Sequence, residues 1–194
     1  MHKYLIKYLN EHISTPLRES EIELVKKTFA PKQFKRKQYL LQAGDVCKYF
    51  AFITKGAMRQ YSVDDKGAEH TVGLFIERWW AGDRESFIML TPSAYNVDAW
   101  EDTDALIVSR ADQLDLFREV PILAELSLRL DERHAIATQK RLNDFVSLTA
   151  EKRYAHFTET YPEFLQRFPQ HLVASYVGIT KETLSRLRGQ MPKK

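Results

Sequence analysis

Residues 170–188 constrain the fold more than any other stretch, because their pattern fits two short helices joined by a tight turn. Leu172, Val173 and Val177 lie at helical spacing and give the first helix an apolar face. Gly178 follows at the position where the end of a helix favours a positive φ. This spacing predicts a helix-turn-helix motif.

The second predicted helix begins after Thr180, a favourable N-cap residue, and buries Leu184 and Leu187. Its other side chains face outward, where the recognition helix of such a motif meets the major groove of DNA. The predicted DNA-facing residues are Thr180, Lys181, Glu182, Thr183, Ser185, Arg186 and Arg188. A helical hairpin with an ordinary polar outer face is the alternative interpretation.

The side chains of the second helix suit different parts of a duplex. Arg186 can donate two hydrogen bonds to guanine, and Glu182 can accept one from the N4 amino group of cytosine. Lys181 and Arg188 suit the phosphate backbone, which fixes position but carries no sequence information. The pattern therefore indicates sequence-specific binding to double-stranded DNA.

The composition fits a cytoplasmic protein with a basic C-terminal third. The chain is 44% hydrophobic and 28% charged, and no apolar run approaches the roughly 20 residues of a membrane helix. The first ten residues lack a signal-peptide core, and the single cysteine, Cys47, excludes an intrachain disulfide. Residues 139–194 carry ten Lys/Arg against five Asp/Glu, although the net charge is only +3, which favours a nucleic-acid-binding end.

The pattern of the N-terminal half changes from helical to strand-like at Pro31. The residues before Pro31 have helical spacing, and we expect the proline to end that helix. From there to Arg110, short alternating segments rich in aromatic and β-branched residues are separated by Gly or Asp. We expect a hairpin turn at 64–67, and we expect segments 96–100 and 105–108 to pair with each other. The pattern predicts an antiparallel barrel or double-sheet roll.

A long helix is predicted from Pro121 to about Phe145, with the proline in the first turn, where it is tolerated. One apolar stripe comprises Leu123, Leu126, Leu130 and Ala137, and a second comprises Leu128, Ala135, Leu142 and Phe145. Two stripes indicate contact on two sides. We expect one stripe to pack on the roll and the other on the 121–145 helix of a second copy, in a homodimer. Burial of both stripes within one monomer is the alternative.

The sequence contains no catalytic constellation. It has no P-loop, no Gly-x-Ser-x-Gly motif and no pair of histidines at metal-ligand spacing. Only Glu69 and His70 place candidate ligands on a predicted strand, which is too few for metal catalysis in a β-roll. We therefore expect no catalytic residues, no metal site and no enzymatic activity.

The order of a Gly-punctuated roll, a long helix and a helix-turn-helix resembles the cyclic-AMP-receptor/fumarate-nitrate-regulator superfamily of bacterial transcription factors. The resemblance rests on Leu41-x-x-Gly44-Asp45, on Phe52-Ile53-x-Lys55-Gly56 and on the run from Gly178 to Arg186. It implies an α+β fold: an antiparallel β-roll of the jelly-roll type with flanking helices. Its expected parts are an effector domain (1–118), a linking dimerisation helix (119–146) and a helix-turn-helix domain (147–194).

The resemblance also implies a function. In the family's recognition helix a basic residue, the Glu after it and an Arg four residues beyond that Glu read DNA, roles that fall to Lys181, Glu182 and Arg186. A homodimeric transcription regulator on a pseudo-palindromic operator follows, with an effector sensed in the roll and RNA polymerase as a further partner. The alternative is a regulator-like module that binds a cyclic nucleotide or another small ligand and acts through protein contacts.

The family's nucleotide sensors bind the ribose through a Glu and the cyclic phosphate through an Arg. The corresponding ligand-site residues here are Gly82, Asp83, Arg84, Glu85, Ser93, Ala94 and Tyr95. Asp83 replaces the Glu, and Ser93 falls where the Arg is expected. Because a buried phosphate needs a fixed cation or several N–H donors, we expect no cyclic nucleotide here, and leave open another ligand or none.

Four aromatic residues near this region have two interpretations. They can line an aromatic or apolar ligand site, or they can pack the core of the roll. The four are Trp79, Trp80, Tyr95 and Trp100.

The sequence stops at Lys194, soon after the predicted recognition helix, so we expect no full β-hairpin wing. Contacts to the DNA backbone are then expected from helix N-termini, from Lys140 and Arg141, and from the tail at residues 192–194.

Overall fold

The computed structural model describes residues 1–190, which form eight strands and nine helices. The strands are β1 (Ala30–Phe34), β2 (Tyr39–Leu41), β3 (Tyr49–Lys55), β4 (Met58–Val63), β5 (Glu69–Phe75), β6 (Trp80–Ala81), β7 (Asn96–Ala99) and β8 (Thr103–Ser109). The helices are α1 (His2–His12), α2 (Glu19–Thr28), α3 (Arg84–Met89), α4 (Arg110–Glu119), α5 (Pro121–Ser147), α6 (Ala150–Thr160), α7 (Phe164–Arg167), α8 (Gln170–Val177) and α9 (Lys181–Gln190). Within this range no helix is both long enough and apolar enough to cross a bilayer.

Two four-stranded antiparallel sheets face each other and form the predicted roll. Their strand orders are β1-β8-β3-β6 and β2-β7-β4-β5, and we call the second the helix-facing sheet. Side chains such as Phe52, Met58, Val97 and Leu106 fill the space between the sheets and are fully buried. The predicted hairpin at 64–67 is confirmed, because β4 and β5 pair on either side of it.

Two expectations about the strands were wrong. Pro31 lies inside β1 opposite Leu106, and the preceding helix already ends at Thr28. β1 is an edge strand, where a missing N–H is tolerated. Strands β7 and β8 do not pair with each other, because the chain crosses between sheets after β7. Each of the two strands already has a hydrogen-bonded neighbour on both sides, and alternation alone does not identify these partners.

The side chains of β5 and of Ile76, which follows it, alternate between two hydrophobic cores. Consecutive side chains of a strand point to opposite faces. Phe75 therefore enters the roll, whereas Leu74 and Ile76 join a second core that includes the C-terminal helices. We call this second core the bridging cluster, and its buried members are Ala57, Leu74, Ile76, Tyr154, Phe157, Phe164, Phe168, Leu172, Val173, Ala174, Val177, Leu184 and Leu187. Through it, the segments expected as separate domains, 1–118 and 147–194, pack on one another.

The long helix α5 starts at Pro121, as predicted, and runs for 27 residues. Leu123 and Leu126 of the first stripe are buried against the roll, whereas Ala137 of the same stripe is exposed. The roll contacts this stripe only near the start of the helix. The second stripe is exposed within one chain: Leu128 is 61%, Leu142 63% and Phe145 58% accessible.

A buried cation lies on the outer side of the helix-facing sheet. Arg59 donates from Nε and Nη2 to the Asp98 carboxylate, at 2.9 and 3.1 Å, and from Nη1 to Glu69 at 2.5 Å. Its guanidinium also lies 4.0 Å from the ring centroid of Tyr61. Burial by itself would lower the pKa of Arg59, but its hydrogen bonds to Asp98 and Glu69 raise it. Arg59 therefore stays charged and balances the buried Asp98.

Arg59→Ala should lower the free energy of unfolding by about 3–5 kcal/mol, because the buried Asp98 carboxylate would lose the two hydrogen bonds and the cation that Arg59 provides. Urea denaturation followed by circular dichroism measures this loss. Arg118→Ala is the matched control, because Arg118 and Asp115 form an exposed pair, and its effect should stay within about 1 kcal/mol. Equal, small losses in both variants would contradict the structural role of the Arg59 network.

Candidate nucleic-acid interface

The helix-turn-helix predicted over residues 170–188 is present as α8, a turn and α9. Gly178 ends α8 with a φ of +71°, and the N–H of Ile179 donates to the carbonyl oxygen of Ala174 at 3.0 Å. The Thr180 hydroxyl accepts the N–H of Thr183 at 3.2 Å and so caps α9. Leu184 and Leu187 are buried in the bridging cluster, as the spacing predicted.

The predicted DNA-facing side chains lie on the free side of α9. Those exposed are Lys181, Glu182, Ser185, Arg186 and Arg188, whereas Thr183 is half-buried and the Thr180 hydroxyl is used in the cap. In the described part of the chain, neither Lys181 nor Arg186 forms an ion pair. A backbone N–H at the start of α9 and the Thr180 hydroxyl lower the pKa of Glu182, so this side chain is an acceptor at neutral pH.

Three residues connect the end of α5, the start of α6 and the turn before α9. Arg153 on α6 donates to the carbonyl oxygens of Val177, Gly178 and Leu148 at 3.1, 2.9 and 2.9 Å. It thereby satisfies carbonyls that the ends of α8 and α5 leave without intrahelical partners. Its guanidinium lies 5.3 Å from the ring centroid of Phe145, and that ring also covers Gly178. We call Phe145, Arg153 and Gly178 the turn clamp.

Polar contacts also attach the helix-turn-helix to the roll. Arg167 donates from Nη1 to Glu77 at 2.8 Å and from Nη2 to Glu101 at 2.9 Å, so one cation bridges two acids of the roll. On the other side of α8, the Ser175 hydroxyl accepts the N–H of Thr71 at 2.8 Å. These contacts engage α7 and α8 and leave the outer side of α9 open.

The roll and α9 nevertheless come close at one point. A groove of about 330 Å³ lies between His70 on β5 and the start of α9 at Thr180 and Lys181. Its walls also include His171 and Ser175 of α8. A duplex that approaches α9 therefore also approaches this face of the roll.

The expected backbone-binding cations have different environments. Arg141 donates to the carbonyl oxygen of Val72 at 2.9 Å and lies 4.6 Å from the ring centroid of Tyr176, so an intramolecular contact already holds it. Lys140 is exposed. The expected contacts of the tail at 192–194 lie outside the described residues.

The region resembling a nucleotide cassette makes its polar contacts within the chain. The Ser93 hydroxyl donates to Asp83 at 2.6 Å, and Asp83 also accepts the N–H of Glu85 at 3.1 Å. Asp83 and Ser93 are buried, and so is Gly82, where an added Cβ would meet the Phe50 ring at 2.5 Å. The structure thus brings these residues together in the predicted region.

The remaining candidate ligand residues point elsewhere. Arg84 forms an ion pair with Asp131 of α5, and its guanidinium lies 5.1 Å from the Phe50 ring centroid. Glu85 and Ala94 are exposed, and Tyr95 is half-buried. Arg84 therefore joins α3 to the long helix α5.

The tryptophans near the cassette do not share a pocket. Trp80 packs in the roll, 5.0 Å from the ring centroid of Phe52, whereas Trp79 packs on Phe164 of α7 at 5.4 Å. Trp100 meets His171 of α8 edge-on at 5.9 Å. These contacts favour the packing interpretation over a common ligand site. Across residues 1–190, His, Cys, Asp and Glu side chains form no group of three or more that could hold a metal ion.

Comparison with known proteins gives consistent similarities. A family model for the cyclic nucleotide-binding domain matches residues 31–120. The anaerobic regulatory protein of Haemophilus influenzae is 24% identical over 175 residues, covering 84% of this chain and 66% of that protein. The fumarate and nitrate reduction regulatory protein of Vibrio cholerae is 24% identical over 191 residues, covering 91% of this chain and 75% of that protein. The chain thus spans 66% to 75% of the length of these two relatives.

A solved structure shares the fold. FixK2 from Bradyrhizobium japonicum superposes with a TM-score of 0.72 and 18% sequence identity. The superposition covers 84% of this chain and 83% of that one. At this identity the similarity shows a common architecture.

Gly178→Ala should destabilise the protein more than Gly67→Ala does. Both glycines have positive φ, so an alanine costs about 1–2 kcal/mol at either position. Only at position 178 would the new Cβ meet an aromatic ring, 2.5 Å from Phe145, which adds roughly 1–3 kcal/mol. Urea denaturation of the two variants measures the difference.

Phe145→Leu in the Gly178→Ala background provides the internal check on the turn clamp. Removing the ring should bring the cost of the alanine close to that at position 67. Equal losses in the two single variants would show that Phe145 does not pack on the turn.

Proposed function

We propose that this chain forms a homodimer and reads an operator with α9. The premise is that the chain belongs to the cyclic-AMP-receptor/fumarate-nitrate-regulator (Crp/Fnr) family of DNA-binding transcription regulators. The observation that carries the proposal is the open outer side of α9, where Lys181, Glu182 and Arg186 are all exposed. A helix N-terminal segment of this composition fits the major groove.

The residues of α9 divide into base-reading and backbone-binding groups. Arg186 binds the O6 and N7 acceptors of guanine, and Glu182 accepts from cytosine. Lys181, at the start of the helix, reads a base or the adjacent phosphate, while Arg188 and the hydroxyls of Ser185 and Thr183 bind backbone oxygens. The Thr180 cap holds the first turn of α9 in place.

The homodimer forms along the exposed stripe of α5. Leu128, Ala135 and Leu142 lie seven residues apart, the spacing of one position of a heptad repeat. Two copies of this stripe would bury side chains that are more than half exposed in a single chain. Two-fold symmetry then places the recognition helices on half-sites about one helical turn apart, roughly 34 Å, in a pseudo-palindromic operator.

The roll provides the regulatory part of this proposal. Its cassette departs from the nucleotide-binding pattern at Asp83 and Ser93, and Arg84 is already paired with Asp131. We therefore propose an effector other than a cyclic nucleotide, or none, for the site formed by Gly82, Asp83, Arg84, Glu85, Ser93, Ala94 and Tyr95. We also propose RNA polymerase as a partner, and we assign it no surface of this chain.

Two other functions have less support. A module acting only through protein contacts has no need of the complete Lys181, Glu182 and Arg186 set on an open helix face. We propose no catalytic role either, because the curated relatives carry the names of regulatory proteins.

Arg186→Ala should weaken binding to a selected operator by about 1–3 kcal/mol and relax preference at one base pair, since a bidentate guanine contact is lost. Fluorescence anisotropy with the operator and its single-base variants measures both effects. Arg188→Ala should instead weaken all sequences alike, and Arg118→Ala on α4 should change nothing. Unchanged operator affinity in Arg186→Ala would favour the protein-contact alternative.

Leu142→Glu should weaken dimerisation roughly 100- to 1,000-fold, because two carboxylates would enter the apolar seam between the α5 helices. Sedimentation equilibrium measures the dimer dissociation constant. Lys140→Glu is the matched control, since this residue lies about 200° around the helix from Leu142 and should leave the constant within a few-fold. A Leu142→Glu protein that dimerises normally would place the dimer contact elsewhere.

A further inference from the structure

One strongly basic surface of the roll has no part in the function described so far. Residues 32–37 hold four cations and no acid, at the end of β1 and in the turn before β2. We call this segment the basic turn; its cations are Lys32, Lys35, Arg36 and Lys37, and all four are exposed. Periodicity did not identify it, because the cations lie at a strand end and in a turn.

The basic turn has a fixed backbone. The N–H of Arg36 donates to Asp102 at 2.9 Å, and the N–H of Lys37 donates to the carbonyl oxygen of Ala99 at 2.7 Å. Lys37 has a φ of +70°, a conformation that glycine or asparagine adopts at lower cost. The turn therefore presents its side chains from a rigid position.

Three of the four cations are free to bind an anion. Lys35 pairs with Asp102 at 2.9 Å, but in the described part of the chain no carboxylate pairs with Lys32, Arg36 or Lys37. The nearby Glu101 is already held by Arg167. The free charge of this surface is therefore positive.

A chain of ring contacts connects the basic turn to the helix-turn-helix. The Arg36 guanidinium lies 5.3 Å from the ring centroid of Trp100, and Trp100 meets the His171 ring at 5.9 Å. His171 is the second residue of α8, and the first helix of a helix-turn-helix crosses the DNA backbone. The basic turn therefore lies close to the start of α8, the helix of the motif that is expected to cross the DNA backbone.

We infer that the basic turn binds phosphates of the DNA that flanks the half-site, so that the roll itself contacts the duplex. The inference rests on the proposed function. A duplex carries one phosphate charge per about 1.7 Å of its axis, so any basic surface along its path meets several of them. A protein partner fits less well, because lysine is depleted at the centres of protein interfaces.

The test uses the full chain and operators selected from random duplexes, prepared with and without about 10 base pairs of flanking DNA on each side. Affinity is measured by fluorescence anisotropy from roughly 50 to 300 mM salt. The variant is Arg36→Gln/Lys37→Gln. The matched control is Lys26→Gln/Lys27→Gln, which removes two exposed cations from α2.

On flanked operator the variant should bind about 5- to 50-fold more weakly at low salt, and its slope of log affinity against log salt should fall by about 2. On unflanked operator it should match the wild type, as the control should on both. Equal slopes for variant and wild type on flanked DNA would overturn the inference. Unchanged binding accompanied by lost transcription in vitro would also overturn it, and would point to a protein partner.

A different set of binding results is expected if the proposed function itself is wrong. In that case the wild type would enrich no sequence, and Arg186→Ala would have no effect on binding. The basic turn is then tested on random flanked duplex, where the same loss of slope supports the inference and an unchanged slope overturns it.

Discussion

The bridging cluster determines where α9 points. Leu74 and Ile76 face away from the roll because strand side chains alternate, and they meet the inner sides of the C-terminal helices. Arg167 then joins Glu77 and Glu101 across the same contact. With the inner side of the motif buried in this way, the charged residues of α9 remain on the outside. The orientation of α9 therefore follows from the packing on its inner side.

Contacts within the chain also connect the cassette to the turn before α9. Arg84 joins the cassette helix to α5 through Asp131, and Phe145 at the far end of α5 packs on Gly178. Arg153 ties that turn to the carbonyl of Leu148, where α5 ends. A displacement of α5 relative to the roll would therefore act on both ends of this series of contacts.

The sequence alone was sufficient to predict the elements whose local residue pattern identifies them. Periodic apolar residues, the proline at the start of α5 and the Gly178–Thr180 turn identified the long helix and the helix-turn-helix. Strand partners were harder, because alternation reports burial and not neighbours, so the crossing after β7 and the edge position of Pro31 were missed. β6 is only two residues long and has no pattern of its own.

The candidate DNA-binding site also combines residues that local sequence signals predict with residues whose contacts are distant in the chain. The outward residues of α9 were predictable, because a helix with two buried leucines leaves the rest exposed. Arg153 and Arg167 were not, since each acts through partners far along the chain: Gly178 for one and Glu77 for the other. The basic turn was visible as a run of charge, but its relevance depends on Trp100 and His171 meeting in space.

Methylation protection of guanine N7 on a selected operator tests the central claim most directly, because N7 is exposed in the major groove. Two copies of α9 on a symmetric dimer should protect two clusters of guanines whose centres lie about 10 base pairs apart, on one side of the duplex. A single protected cluster, or protection confined to the minor groove when adenine N3 is probed, would contradict the account.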